Sequence, residues 1–87
     1  MPFPIGSTSN FDEHFANKPK KLQDITRRKI TLLANYPAHP SLRVHRIEGT
    51  FRVWEAYIDM GHRLTFEYSE GRIVLRNNNG HEILKRP

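Results

Sequence analysis

The chain has 87 residues and a mass of 10.2 kDa, which is enough for a single domain spanning residues 1–87. Its net charge is +5 and its pI is near 10.0, so polyanions such as nucleic acids or acidic protein segments are the expected partners. The sequence has no cysteine, no apolar run long enough to span a membrane and no secretory signal, which excludes disulfides and thiolate metal sites and favours a cytoplasmic location.

The N-terminal part of the sequence predicts two helices. Pro2 and Pro4 restrict any strand within residues 1–8 to a short one at a sheet edge, because proline cannot donate to a strand ladder. Ser9 followed by acidic residues is typical of a helix start, and the break at residues 17–19 ends that helix. A second helix is predicted over residues 19–36, since the apolar residues recur on one broad arc of a helical wheel.

The apolar period changes from 3.6 to 2 after the second helix, which predicts strands. Four strands are expected, at residues 42–47, 50–59, 63–68 and 72–77. Hairpin-like turns separate them around residues 48–49, 60–62 and 69–71. The run Asn77-Asn78-Asn79-Gly80 predicts a further turn after the last strand.

Alternation along these strands separates two faces of the predicted sheet. One face is apolar and is the one for the helices to cover: Trp54, Ala56, Ile58, Leu64, Phe66, Tyr68, Ile73 and Leu75. The other face is charged and carries histidine and tyrosine: His45, Glu55, Tyr57, Asp59, Arg63, Thr65, Glu67, Arg72 and Arg76. Any chemistry is expected on this polar face.

The polar face collects residue types that can cleave RNA without a metal ion. The 2′-OH of the RNA attacks the adjacent phosphorus, so the protein supplies a base, an acid and cations for the charge on the phosphorane. Histidine suits the proton transfers, and the planar guanidinium of arginine suits the phosphate. Suitable residues on or beside this face are His45, Arg63, Arg76, His81 and Lys85, and Tyr57 is suited to stacking on a base.

Structural explanations stay open for several of these positions. His14, His39 and His62 are most simply surface or turn residues. The Lys and Arg residues of the second helix most simply form its solvated face, although they could also grip a phosphate backbone. The histidine spacing matches no zinc motif, and no nucleotide-binding loop or nucleophile elbow is present, so no metal or cofactor is expected.

Several segments, taken in order, resemble the RelE/ParE toxin superfamily. They are His39-Pro40-Ser41-Leu42-Arg43-Val44-His45-Arg46-Ile47-Glu48-Gly49, then Trp54, then His62-Arg63-Leu64-Thr65-Phe66, then Asn79-Gly80-His81-Glu82-Ile83-Leu84. The match is closest to the YafQ-like and YoeB-like ribonuclease branches. It implies an α+β fold in which two N-terminal helices pack on one face of a mostly antiparallel twisted sheet, the RelE-like microbial ribonuclease fold.

The same resemblance implies a type II toxin that cleaves mRNA in the ribosomal A site and is held inactive by a cognate antitoxin. By position, His45 and His81 match catalytic histidines, and Arg63 matches the arginine that stabilises the phosphate. We expect Arg76, Lys85, Tyr57 and His62 to contact the RNA. The sequence departs from many active relatives in lacking an aromatic residue shortly after the C-terminal histidine.

Two other functions stay open at this point. The ParE branch shares the fold but poisons gyrase, and a non-catalytic nucleic-acid-binding regulator would use the same basic surfaces. The gyrase poisons generally lack this histidine set, so His45 and His81 favour the nuclease.

Overall fold

Two helices and one five-stranded sheet make up residues 2–79, the part of the chain that the computed structural model describes. The helices are α1 (Ser9–Ala16) and α2 (Lys20–Asn35), and a 3-10 turn follows at Pro40–Leu42. The strands are β1 (Ile5–Ser7), β2 (His45–Arg46), β3 (Trp54–Asp59), β4 (His62–Ser69) and β5 (Arg72–Asn79). They lie in the order β1-β5-β4-β3-β2; β1 runs parallel to β5, and the other pairs are antiparallel. The predicted α+β class is confirmed.

The N-terminal segment is short and lies at the sheet edge, as its prolines predict. Thr8, and not Ser9, caps α1, because the Oγ1 of Thr8 accepts the backbone N–H of Phe11 at 3.2 Å. The same hydroxyl donates to the carbonyl of Arg76 at 2.9 Å, which ties the start of α1 to β5. None of the helices in residues 2–79 combines the length and apolar character needed to cross a bilayer.

Two strands are shorter than predicted, and both differences have a backbone cause. The strand expected at residues 42–47 is reduced to His45–Arg46, because a 3-10 turn precedes it and Arg43 adopts a left-handed backbone with φ of 45°. The strand expected from residue 50 begins only at Trp54, because residues 48–53 form a loop that turns at Gly49, where φ is 83°.

Strand β5 is longer than predicted. The turn predicted at residues 77–80 is wrong for residues 77–79, which continue the strand. Residues 77–79 pair with β4 up to its second residue, Arg63. The register shifts between Thr65 and Phe66, where Arg76 is the extra residue of a β-bulge. As a consequence Asn78 pairs with Leu64 and is fully buried.

The core lies between the helices and one face of the sheet, as the alternation predicts. Its buried side chains are Phe11, Leu33, Leu42, Ala56, Ile58, Leu64, Phe66, Ile73 and Leu75. Trp54 and Tyr68, also expected on this face, lie at its margin, and Tyr68 is 40% exposed. Burying this apolar surface holds the helices on one side, so the opposite face of the sheet is left to the polar residues.

Candidate functional site

A buried carboxylate lies on the sheet face opposite the helices. Glu55 of β3 is directly opposite His45 of β2, and its side chain is only 5% exposed. Its Oε1 forms an ion pair with Arg63, 3.1 Å from Nε, and lies 3.5 Å from Nε2 of His45. Three neighbouring strands therefore contribute one side chain each to a cluster, the His45–Glu55–Arg63 cluster.

Arg63 uses only part of its guanidinium in this cluster. It contacts Glu55 through Nε, whereas its Nη1 is buried and has no hydrogen-bond partner among residues 2–79. Leaving a buried donor unpaired costs about 1–3 kcal/mol, so such a group calls for an explanation. The side chain is 25% exposed, and a phosphate oxygen is a suitable acceptor for the part of the guanidinium that reaches the surface.

His45 is oriented by the loop that precedes it. Its Nδ1 lies 2.9 Å from the carbonyl oxygen of Arg43, and a carbonyl can only accept, so Nδ1 carries a proton and donates. Nε2 is then the atom that can take up or release a proton. Its distance to Glu55 of 3.5 Å exceeds an ordinary hydrogen bond and the side chain is 58% exposed, so Nε2 is accessible to a substrate.

Tyr57 contacts two guanidinium groups beside this cluster. The Cζ of Arg43 lies 4.8 Å from the ring centroid and that of Arg63 lies 5.7 Å from it. Both distances are within the range of cation–π attraction, which holds the ring in place. The predicted stacking residue is therefore next to the predicted phosphate-binding arginine.

Two other predicted residues have partners of their own. Arg76 lies on the same face but donates from Nη1 to Glu67 at 3.2 Å. His62 lies where β3 and β4 join, with its Nδ1 2.8 Å from Oδ1 of Asp59. The structure thus brings His45, Tyr57 and Arg63 together, whereas Arg76 and His62 have partners outside the cluster. The other two predicted residues, His81 and Lys85, lie outside the described part of the chain.

The carboxyl group of Asp59 titrates below its ordinary range. Partial burial by itself raises the pKa of Asp59, but hydrogen bonds from the His62 side chain and from the Gly61 backbone N–H, together with attraction to His62, outweigh burial and lower it. Asp59 is therefore a carboxylate that stabilises the β3–β4 turn.

Two residues of the site were not predicted. Alternation placed Glu55 on the polar face with His45 and Arg63, and that shared face was the available signal for a role in the cluster. Arg43 gave no such signal, because its contribution depends on a left-handed backbone that its sequence neighbours do not require.

An open pocket of about 380 Å³ lies against this region, lined by His45, Arg46, Ile47 and Glu48. Residues 2–79 hold no group of three His, Asp or Glu side chains placed to bind a metal ion.

No protein-family model matches the sequence. No curated protein matches it significantly either.

Solved structures, in contrast, match over nearly the whole chain. The Escherichia coli DinJ–YafQ toxin–antitoxin complex has a subunit with 15% identity and a TM-score of 0.78, covering 97% of this chain and 98% of that one. The YoeB dimer from Staphylococcus aureus has 13% identity and a TM-score of 0.76, covering 93% and 99%. The RelE–RelB complex from Pyrococcus horikoshii has 14% identity and a TM-score of 0.73, covering 92% and 96%. The predicted resemblance to the RelE/ParE superfamily is thus confirmed at the level of the fold.

Proposed function

We propose that this chain, with residues 1–87 acting as one domain, is the toxin of a type II toxin–antitoxin pair. It cleaves mRNA in the ribosomal A site without a metal ion and so inhibits translation in the cytoplasm. The observation that carries this proposal is the His45–Glu55–Arg63 cluster, which combines an accessible proton-transfer group with a partly exposed arginine. The fold shared with YafQ, YoeB and RelE supports it.

The proposed reaction needs no group beyond the RNA and the protein. One histidine removes the proton of the 2′-OH, whose oxygen then bonds to the adjacent phosphorus. The bond from phosphorus to the 5′ oxygen breaks, and the second histidine gives that oxygen a proton, leaving a 2′,3′-cyclic phosphate. His45 and His81 fill these two roles, and Arg63 stabilises the additional charge on the phosphorane.

The remaining predicted residues serve RNA binding. Tyr57 stacks on or orients a base beside the scissile phosphate, as its place next to Arg63 allows. Arg76, Lys85 and His62 contribute further contacts to the RNA. A cognate antitoxin is the proposed protein partner, by analogy with DinJ and RelB in the complexes of the similar structures.

Glu55 has a supporting role in this scheme. Its Oε2 is buried and the whole side chain is nearly inaccessible, so it cannot reach a 2′-OH. Through Oε1 it holds Arg63 and faces His45, so it positions both groups on the polar face.

The test is induced expression followed by mapping of RNA 5′ ends. The parent chain is compared with His45→Gln, Arg63→Gln and His81→Ala, and with the controls Glu13→Gln and Arg72→Gln, whose residues are exposed and lie outside the cluster. The proposal expects new mRNA ends in phase with codons for the parent and both controls, and few or none for the three site variants. Circular dichroism of each purified variant confirms that loss of cleavage is not loss of fold.

Other outcomes would overturn the nuclease. Growth arrest with DNA damage, continued translation and no new RNA ends would identify a gyrase poison. If Arg63→Gln produced the same new RNA ends as the parent, the cluster would have no part in the cleavage reaction. Salt-sensitive RNA binding without any cleavage would leave a non-catalytic binding protein.

A further inference from the structure

The surplus positive charge of the chain is concentrated in one short segment. Residues 18–29 contain six Lys or Arg residues and one Asp, a net charge of +5, which equals the net charge of the whole chain. The rest of the sequence carries eight basic and eight acidic residues and is therefore neutral. The attraction of this protein for polyanions thus comes mainly from α2 and the residues just before it.

Four of these cations form two parallel rows on the exposed side of α2. Lys20 and Arg27 make one row and Lys21 and Arg28 the other, each pair being seven residues or about 10 Å apart along the axis. Asp24 lies within the first row and contacts Lys20 at 3.8 Å and Arg27 at 3.2 Å.

The second row has no acidic partner. Among residues 2–79, no ion pair or hydrogen bond joins the side chain of Lys21 or Arg28 to another residue. The other two cations of the segment are half-buried, and one of them, Lys29, has its Nζ 3.5 Å from the hydroxyl of Ser41. The row Lys21–Arg28 is therefore the uncompensated part of the surface.

The helix dipole does not account for the cations of the first turn. Lys20 and Lys21 lie in the first turn of α2, at the positive end of the helix dipole, where acidic residues are favourable and cations are unfavourable. The first turn has no acidic residue, and the last turn, where cations would stabilise the helix, has no basic one. The charge pattern opposes the helix dipole, which indicates that another requirement maintains it.

This surface is separate from the His45–Glu55–Arg63 cluster. Helix α2 packs on the apolar face of the sheet through residues such as Leu33, whereas Glu55 alternates with buried Ala56 and lies on the other face. A strand bound at the cluster and a ligand bound on α2 are therefore different segments of nucleic acid.

We propose that the exposed cations of α2 bind the phosphate backbone of double-helical RNA; the choice of RNA over DNA rests on the proposed function. Phosphates require only cations on a rigid support, and α2 supplies them at fixed spacing. A protein partner would need a buried apolar or aromatic anchor, and single-stranded RNA would need a stacking ring. The exposed side chains of α2 provide neither, because they are Lys20, Lys21, Arg27, Arg28, Thr31 and Asn35.

The test measures binding of an RNA duplex of mixed sequence whose riboses are 2′-O-methylated, so that no 2′-OH is available for cleavage. Fluorescence anisotropy over a series of NaCl concentrations compares the parent with Lys21→Gln/Arg28→Gln. The matched control is Arg52→Gln/Arg72→Gln, which removes the same charge from exposed residues elsewhere. Circular dichroism shows that both double variants keep the helical content of the parent.

The proposal expects the α2 variant to bind about tenfold more weakly at low salt and the slope of log K against log salt to fall by about 2. The control should stay within about twofold of the parent. Equal losses of duplex affinity in both double variants would show that only net charge matters and would overturn the proposal. An α2 variant that binds the duplex as tightly as the parent would also overturn it. Binding of a polyglutamate peptide that depends on Lys21 and Arg28, without duplex binding, would identify a protein-docking surface instead.

This measurement requires no cleavage, so it separates the surface from the nuclease. Arg63→Gln should abolish RNA cleavage. It should weaken duplex binding only as much as the loss of any one surface charge does. Duplex binding that disappears in Arg63→Gln would place the duplex on the cluster face and overturn the separate surface.

Discussion

Glu55 and Arg63 form an ion pair in which each partner keeps one buried polar atom unused. The Nε of Arg63 lies 3.1 Å from Oε1 of Glu55, while Oε2 and Nη1 have no hydrogen-bond partner among residues 2–79. A pair selected for stability would use the two-pronged contact that arginine and carboxylate geometry favours. The single contact leaves the rest of the guanidinium outside the ion pair, and the 25% exposure of the side chain lets a phosphate approach it.

Glu55→Gln is expected to lower kcat for RNA cleavage by about tenfold or more while changing KM little, because Arg63 and His45 lose the charge that orients them during the reaction. It should also destabilise the protein by about 1–3 kcal/mol, since Arg63 keeps only a neutral acceptor. Steady-state cleavage kinetics and urea unfolding measure the two effects. Glu13→Gln, on the exposed surface of α1, is the matched control and should change neither.

A larger KM with unchanged kcat would contradict the positioning role. It would mean that Glu55 contributes to RNA binding uniformly in the ground state and the transition state. Loss of stability alone, with normal kinetics in the folded fraction, would assign Glu55 to structure only.

Period-two alternation was sufficient to predict the face on which the site lies. His45, Tyr57 and Arg63 were placed on one polar surface from sequence, and the structure brings them together. This works because one face of the sheet is covered by helices, so the apolar residues of the strands are assigned to that face and the polar ones between them to the opposite face.

Features that depend on irregular backbone could not be predicted in the same way. The left-handed residue Arg43 and the extra residue Arg76 in β5 each change where side chains lie without changing the hydrophobic pattern. The three asparagines 77–79 suggested a turn, but pairing with β4 overrides their local preference. The two-residue length of β2 could not be predicted either, because it follows from the left-handed backbone at Arg43.

The pair of Asp59 and His62 should make stability depend on pH at the acidic end. The folded-state pKa of Asp59 lies below its ordinary value of 3.8, so its stabilising effect is present above 3.8 and is lost as pH falls through the folded pKa. Because the pair lies near the surface, the effect should be about 0.2–1 kcal/mol. Thermal unfolding at several pH values should show that Asp59→Asn is less stable than the parent above pH 4 and that the difference narrows below it. A difference that grows on acidification would contradict the lowered pKa.

Thr26 of α2 is fully buried, and its hydroxyl has no partner among residues 2–79. Thr26→Val replaces that hydroxyl with a methyl group of similar size and removes the cost of an unpaired polar group, so we expect a gain of about 1 kcal/mol. Thr31→Val, on the exposed side of the same helix, is the matched control for the change in side-chain type. A loss of stability in Thr26→Val relative to this control would show that the hydroxyl has a hydrogen-bonding role.

Lys21 offers a variant in which stability and RNA binding should change in opposite directions. Lys21→Gln removes a cation from the positive end of the α2 dipole, which should stabilise the fold by about 0.3–1 kcal/mol and raise Tm by a few degrees. Arg28→Gln lies beyond the first turn and should leave Tm unchanged. Both single variants should bind duplex RNA more weakly than the parent, and the gain in Tm should shrink in 1 M NaCl because salt screens the dipole. A lower Tm for Lys21→Gln would mean that this lysine stabilises the helix, and its retention would then need no RNA ligand.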